Sequence, residues 1–469
     1  MPRLTPLDST AELPPLMQTG LKQRFLQAAG WMAIGHVLSL AIRLGSSLIL
    51  TRLLAPELYG VMSVAYVVMS GLAMFSDLGL SQGAIQSRRG EEPKFLNVSW
   101  VVQIARGVVL SIGGLLIAAF LKLAGTQGWL PAHSVYAEPL VPSLVAVISV
   151  FAIVSGFEST KVWVARRRLS LGDLTKLELI CQVATVLFQL GWALISPSVW
   201  TLAGGWVFGG MVRTSLSHFW LKGQRNRFEW DCEVFREVFS FGKWVTLSSA
   251  FSFMLTSGDT LLLGGLLDTK LMGSYALAMM LVGALQGAVI RLVGAAALPA
   301  FAEVYRERPE RLKTTLYRIR QPLDILCLTV SGALMALGQL VVSTLYDDRY
   351  AAAGWMLSAM SLVLVSTRLS VFDQCLVATG RVKLLSLLNA LRLITLYASV
   401  PIGYHLYGAT GAVYAVAASQ LVNSVAMLVA QARVGMLEIR REVVAIPLYA
   451  GGLALGYGML AIVQHWKAG

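Results

Sequence analysis

Acidic residues are scarce in this chain. Only 25 Asp and Glu stand against 38 Lys and Arg in 469 residues, and charged residues of both signs make up 13%. Soluble domains carry about a quarter. Cysteine is rarer still: Cys181, Cys232, Cys327 and Cys375 are scattered without metal-ligand spacing. That excludes a disulfide framework and leaves them as small apolar fillers. The histidines, His36, His133, His218, His405 and His465, share no spacing either, so no metal site is expected. The nucleotide-binding pattern G-x-x-x-x-G-K-[ST] is missing, as are H-E-x-x-H and G-x-S-x-G. The chain therefore encodes no nucleotide hydrolysis or hydrolase chemistry of those types, and no cofactor is expected. Met1 to Gly20 lacks the apolar core and cleavage site of a signal peptide, and reads as a mobile tail.

What is abundant is long apolar sequence. A window of about 19 residues finds about thirteen segments able to cross a bilayer, over 31–54, 61–83, 97–122, 139–162, 174–196, 199–221, 241–266, 273–299, 320–345, 352–378, 384–406, 409–432 and 443–464. Basic residues gather in every second connection: Arg88, Arg89 and Lys94; Lys161, Arg166, Arg167, Arg168 and Lys176; Lys222, Arg225, Arg227, Arg236 and Lys243; Arg306 to Arg320; Arg381 and Lys383; Arg433, Arg440 and Arg441. The opposite side carries only Arg52, Lys122, Lys270, Arg349 and Lys467. The positive-inside rule makes the rich side cytoplasmic and puts the amino terminus there too. The expectation is an all-α polytopic protein of the plasma membrane. Its net charge of +13 is accounted for by loops meeting anionic headgroups, which removes the case for nucleic acid.

The chain also repeats itself. Trp31–Ala65 aligns without gaps on Trp244–Ala278, pairing Trp31 with Trp244, Gly45 with Gly258 and Gly60 with Gly273, among other matches. Leucine matches are cheap in membrane helices; the Trp and Gly pairs at one offset carry the case. Both copies start from the same side, which predicts two parallel six-helix lobes around a central cavity. The expected division is a tail over 1–30, one lobe over 31–221, a linker over 222–240, the second lobe over 241–432, and an extra carboxyl-terminal span within 433–469.

Arg43, Arg106, Arg213, Arg291, Arg368 and Arg392 fall inside the apolar segments. Each costs about 2.5–3.5 kcal/mol at mid-membrane unless it faces protein or water. All are arginine, whose planar fork matches phosphate oxygens and whose charge does not titrate. The plain alternative is that each pairs with a buried acid or reaches an interface. Asp77, Asp259, Asp324, Asp373 and Glu158 are the available partners, and Asp373 stands about a turn from Arg368. Asp259, next to repeat glycine Gly258, is either bonded to a neighbouring hydroxyl or binds a coupling proton or sodium ion; Asp77 is the second candidate for ion coupling. Aromatics near span ends, such as Trp129, Trp192, Trp200, Tyr350 and Tyr404, suit the headgroup level.

Three stretches carry a family resemblance. Leu50-Thr51-Arg52-Leu53-Leu54-Ala55-Pro56-Glu57-Leu58-Tyr59-Gly60, Phe75-Ser76-Asp77-Leu78-Gly79-Leu80-Ser81-Gln82-Gly83-Ala84-Ile85-Gln86, and Leu298-Pro299-Ala300-Phe301 with Arg308-Pro309-Glu310-Arg311-Leu312 resemble the bacterial polysaccharide-transporter family. These are the Wzx-type flippases of lipid-linked oligosaccharides, in the superfamily that includes multidrug exporters and the lipid II flippase. The likeness covers roughly 20–435. It implies an undecaprenyl-pyrophosphate-linked oligosaccharide as substrate, translocated across the bacterial inner membrane for envelope or exopolysaccharide synthesis. It also implies membrane lipids, a polysaccharide polymerase and chain-length machinery as partners, and cavity arginines on the first and eighth helices, which ranks Arg43 and Arg291 first. Family members carry an even number of spans, and the thirteenth segment departs from that. The rival readings are a cation-drug exporter, which needs net acid in its cavity, and a membrane polysaccharide polymerase, which needs large outer loops.

Overall fold

The computed structural model describes residues 15–76, 78–168 and 170–468, with no β-strand among them. Lipid offers backbone groups no hydrogen bonds, so each spanning segment must satisfy its own as helix. In chain order the helices are α1 (Pro15–Leu53), α2 (Pro56–Phe75), α3 (Leu80–Gln86), α4 (Pro93–Thr126), α5 (Leu140–Gly156), α6 (Lys161–Arg167), α7 (Leu171–Ile195), α8 (Val199–Phe219) and α9 (Cys232–Leu266). They continue as α10 (Thr269–Glu307), α11 (Leu312–Leu345), α12 (Ala352–Met360), α13 (Val363–Thr367), α14 (Ser370–Ala378), α15 (Val382–Arg433), α16 (Ile439–Val443) and α17 (Ala445–Ala468).

Among the described residues, 10 helices are long and apolar enough to cross a membrane, or 11 when α5 and α6, bent by 67°, count as one span. Two expected segments, 384–406 and 409–432, lie within α15: the chain folds back at Tyr407 and Gly408, where Gly408 takes φ 62°, a conformation glycine adopts at no steric cost. α8 is less apolar because Gly204, Gly205, Gly209, Gly210 and Arg213 dilute it. The expected span 61–83 starts earlier and ends at Phe75. Pro56 suits the first helical turn, and Gly79 at φ 58° separates α2 from α3.

The two halves of the chain meet on the side poor in basic residues. α2 packs against α10 there, and the paired repeat glycines come face to face: a Cβ on Gly60 would strike the Thr269 carbonyl, and one on Gly273 the Pro56 carbonyl. The end of α1 is tied to the far end of α11 by Ser47 and Tyr346 at 3.2 Å, and the Tyr350 hydroxyl donates to the Leu54 carbonyl at 3.0 Å. Tyr136 donates to the Leu261 carbonyl at 2.9 Å.

On the basic side, Arg167 donates to the Ala84 and Ser87 carbonyls at 2.7 and 2.5 Å. Lys94 pairs with Asp231 at 2.5 Å, and Asp231 caps α9 by accepting from the Glu233 and Val234 amides. The Lys94 ammonium, helped by those amides, holds the Asp231 carboxyl down to about 2. These bonds dock the start of α9 on α4.

The last span, α17, lies along α11. Cβ atoms on Gly452 or Gly332 would collide with the facing backbone at Thr329 and Tyr449. Small residues four apart, Gly452 and Gly456, allow that approach, the usual basis of helix packing in lipid.

Candidate functional site

α1 and α10 bring Arg43 and Arg291 to one place. At about 1.5 Å per residue, Arg43 lies about 15 Å from the Leu53 end of α1, near mid-membrane. Both side chains are exposed. Gly45 on α1 and Gly283, Gly287 and Gly294 on α10 have nothing within 4 Å of where a Cβ would stand, so these helices flank open space. Arg291 Nη1 lies 2.8 Å from His36 Nδ1. A guanidinium only donates, so Nδ1 accepts and the neutral ring carries its proton on Nε2. That Nε2 is buried and has no partner among the described residues. The Arg43 guanidinium has no hydrogen bond or ion pair to any described residue, while its charge and that of Arg291 act on each other and on His36. Two guanidinia with mutual repulsion and no acid between them are chemically suited to an anion, which makes them the candidate site.

The other four arginines are differently placed. Arg106 on α4 donates Nε to the Ser76 carbonyl at 2.8 Å and Nη2 to the Ala73 carbonyl at 2.7 Å. It caps the last carbonyls of α2, which a helix end leaves open. Arg368 is held by acids. Its Nη1 lies 3.0 Å from Asp324 and its Nη2 3.4 Å from Glu442, and its side chain is 5% exposed, so its fork is already filled. The expected Arg368–Asp373 pair does not form: Asp373 Oδ1 is buried without a partner among the described residues. Arg368 caps the end of α13 while Asp373 lies within α14, after the break between them. Arg213 on α8 pairs with Glu158 at 2.8 Å, both side chains remaining partly exposed. Arg392 on α15 makes no hydrogen bond or ion pair with a described residue but stands within electrostatic reach of Asp373 and Asp259. The charges nearest to it are thus acidic, unlike those around Arg43 and Arg291.

Asp259 is partly buried. Tyr275 donates to its Oδ2 at 2.5 Å, and the other oxygen is 3.5 Å from Thr260 Oγ1. Tyr397, whose hydroxyl is buried without a partner among the described residues, lies against Gly258. Asp77, the second candidate for ion coupling, lies outside the described residues.

Sequence reasoning missed a further charge cluster. Arg320, which falls at the edge of its apolar segment, is fully buried with its Nε 3.1 Å from Asp324, and its Nη2 donates to Glu442. The i, i+4 spacing of Arg320 and Asp324 was the available signal. His36 carried no signal, being a lone histidine in an apolar run.

The likeness to known proteins agrees with this architecture. The chain is 20% identical over 411 residues, covering 86% of itself and 80% of the relative, to the lipopolysaccharide biosynthesis protein WzxC of Escherichia coli (strain K12). It superposes on an inward-facing multidrug resistance MATE transporter of the MOP superfamily with TM-score 0.62, at 15% identity, covering 87% of this chain and 98% of that one. The lipid II flippase MurJ in its inward closed conformation gives TM-score 0.62 at 11% identity, with 93% of each chain covered. A MOP superfamily transporter from Pyrococcus furiosus gives 0.54 at 16% identity, covering 87% and 95%. Residues 49–354 match the model of the polysaccharide biosynthesis protein family, and the chain belongs to that family.

Proposed function

We propose that this protein carries an undecaprenyl-pyrophosphate-linked oligosaccharide from the cytoplasmic to the outer leaflet of the bacterial inner membrane. The observation that carries the reading is the Arg43–Arg291 site: two guanidinia beside open space, without an acid partner among the described residues. A pyrophosphate presents two adjoining anionic groups, and each can take a bidentate fork. The basic side is read as cytoplasmic. Residues 31–221 and 241–432 are read as lobes that rock about the site, the halves closing on the opposite side as they do around Gly60 and Gly273. α17 is the span outside the repeat, and the released glycan passes to a polymerase and its chain-length machinery. Because the charge sign is reversed, a cation-drug exporter fits less well. The Pyrococcus furiosus transporter is itself described as having a binding pocket of reverse polarity that suggests a different function.

Delivery of labelled lipid-linked sugar to the outer leaflet of reconstituted vesicles tests this. Arg43→Ala or Arg291→Ala stops delivery while the protein remains folded and inserted, and lysine restores only part of it, lacking the fork. Normal transport by both alanine variants refutes the reading. The energy source is proposed to be a proton or sodium gradient acting through Asp259.

A further inference from the structure

α5 and α6 are one span broken at Phe157–Thr160. A break inside a membrane releases backbone carbonyls, and here the neighbouring spans supply donors. Gln103 Nε2 donates to the Gly156 and Glu158 carbonyls at 2.7 and 3.0 Å, and Trp100 Nε1 to the Phe157 carbonyl at 3.3 Å. The break is thereby fixed, and it presents Glu158 to a cavity of about 510 Å³ whose walls include Arg213, Trp206, Tyr66 and Gln182. That volume falls within the range of small-molecule sites, about 300–1,000 Å³.

The chemistry of this cavity differs from that of the Arg43–Arg291 site. Glu158 Oε1 accepts from Arg213 Nε, and both side chains keep a quarter or more of their exposure (32% for Arg213, 25% for Glu158). Neither terminal nitrogen of Arg213 donates to a described residue. The pair is neutral overall, so a free cation gains little and a free anion is repelled by the carboxylate. It offers an acceptor and several donors side by side, which suits neighbouring hydroxyls, since each hydroxyl both donates and accepts. Trp206 and Tyr66 are 36% and 51% exposed and offer aromatic surface for an apolar C–H face. Gln182 ties the wall to α1 by donating to the Ser39 carbonyl at 2.8 Å. Ser39 lies three residues from His36 and four from Arg43, about one helical turn from each.

We infer that this cavity is a binding site for an uncharged pyranose, the sugar next to the pyrophosphate held at Arg43 and Arg291. The inference rests on the proposed function for the identity of that anion. The hydroxyls bind the Glu158–Arg213 pair, and the sugar ring lies against Trp206.

The test uses the full chain in lipid nanodiscs. Its probes are undecaprenyl pyrophosphate alone and the same lipid bearing glucose, galactose, mannose, N-acetylglucosamine or glucuronic acid. At least one neutral sugar raises affinity tenfold or more over the bare lipid. Trp206→Ala and Glu158→Gln each remove at least fivefold of that gain and leave binding of the bare lipid unchanged. A diazirine on the sugar marks peptides containing Tyr66 or Trp206, a readout that does not depend on the variants folding. The inference is overturned if no neutral sugar adds affinity, if only glucuronate does, or if the label falls only in residues 241–432. Loss of bare-lipid affinity in Arg43→Ala and Arg291→Ala reports separately on the pyrophosphate reading. If that affinity is unchanged while the sugar label still maps to Tyr66 or Trp206, the pyrophosphate reading fails and the sugar site stands.

Discussion

Glu442→Ala is the sharpest test of how the last span is held. Glu442, on α16, reaches the buried face of α11: its Oε1 accepts from Arg320, and from Tyr317 at 2.9 Å, and its Oε2 lies 3.4 Å from Arg368. With Asp324, which bonds both arginines at 3.1 and 3.0 Å, the cluster holds two cations and two anions. Arg320 and Arg368 are 0% and 5% exposed at their side chains. Removing Glu442 leaves a net positive charge with no water to solvate it, and breaking a buried pair in this way costs about 3–5 kcal/mol. That is a large share of a typical folding free energy of about 5–15 kcal/mol. Reversible unfolding in mixed micelles, followed by tryptophan fluorescence, measures the loss. Glu442→Gln keeps an acceptor and loses less. The double replacement Arg320→Met with Glu442→Leu restores charge balance and recovers most of the stability, because apolar substitution of a buried pair is often neutral or better. A Glu442→Ala variant within about 0.5 kcal/mol of the parent, or a double variant as damaged as the sum of its singles, refutes the reasoning.

Asp259→Asn uncouples transport from an imposed proton or sodium gradient and keeps lipid binding; gradient-stimulated transport equal to the parent's assigns Asp259 to structure. Cysteines at Arg88, Gln224 and Arg308 are labelled only from the cytoplasm, and ones at Ser198 and Tyr407 only from outside; wrong-side labelling at two of them sinks the topology. Gly90 is unsuitable for such a probe because a Cβ there would strike the Ala84 carbonyl. The Asp231 carboxyl, held at about 2 against an ordinary 3.8, contributes to linker docking above about pH 4. That contribution is lost as pH falls through about 2, so pepsin cleavage near Phe228 and Trp230 rises between pH 4 and 2; cleavage independent of pH across that window contradicts it.

The spans were legible because hydropathy is a local property and the lipid leaves the backbone one choice. Their interruptions were less so. Gly408 carried a turn signal and marks the fold-back inside α15, but the 67° bend at Phe157–Thr160 depends on donors from Trp100 and Gln103 in another span. The arginines show the same limit. Sequence gives their depth but not their partners. Arg106 meets carbonyls at a helix end 30 residues away, and Arg320 meets an acid 122 residues away. Asp373 is near Arg368 along the chain, but a helix break separates them and Arg368 pairs with Asp324 and Glu442 instead.

The intramembrane arginines divide by what offsets their desolvation. Arg106 spends its donors on carbonyls, and Arg320 and Arg368 on carboxylates; these positions are fixed and hold helices together. Arg213 is half spent, one nitrogen on Glu158 and the rest toward a cavity. Arg43 has no partner among the described residues and Arg291 only a histidine, so water in the open space must solvate them. Under the proposed function that arrangement links binding to movement. An empty site resists closing, because closing strips water from two like charges that then repel in a lower dielectric. A pyrophosphate between the forks cancels the charge and replaces the lost hydrogen bonds. Closure around the loaded site is then cheaper than closure around the empty one. A ligand shifts a conformational equilibrium only by such a difference in affinity between states. On the proposed function, the two arginines without acid partners among the described residues supply both the selectivity for an anion and the reason that the empty carrier does not cycle at the same rate.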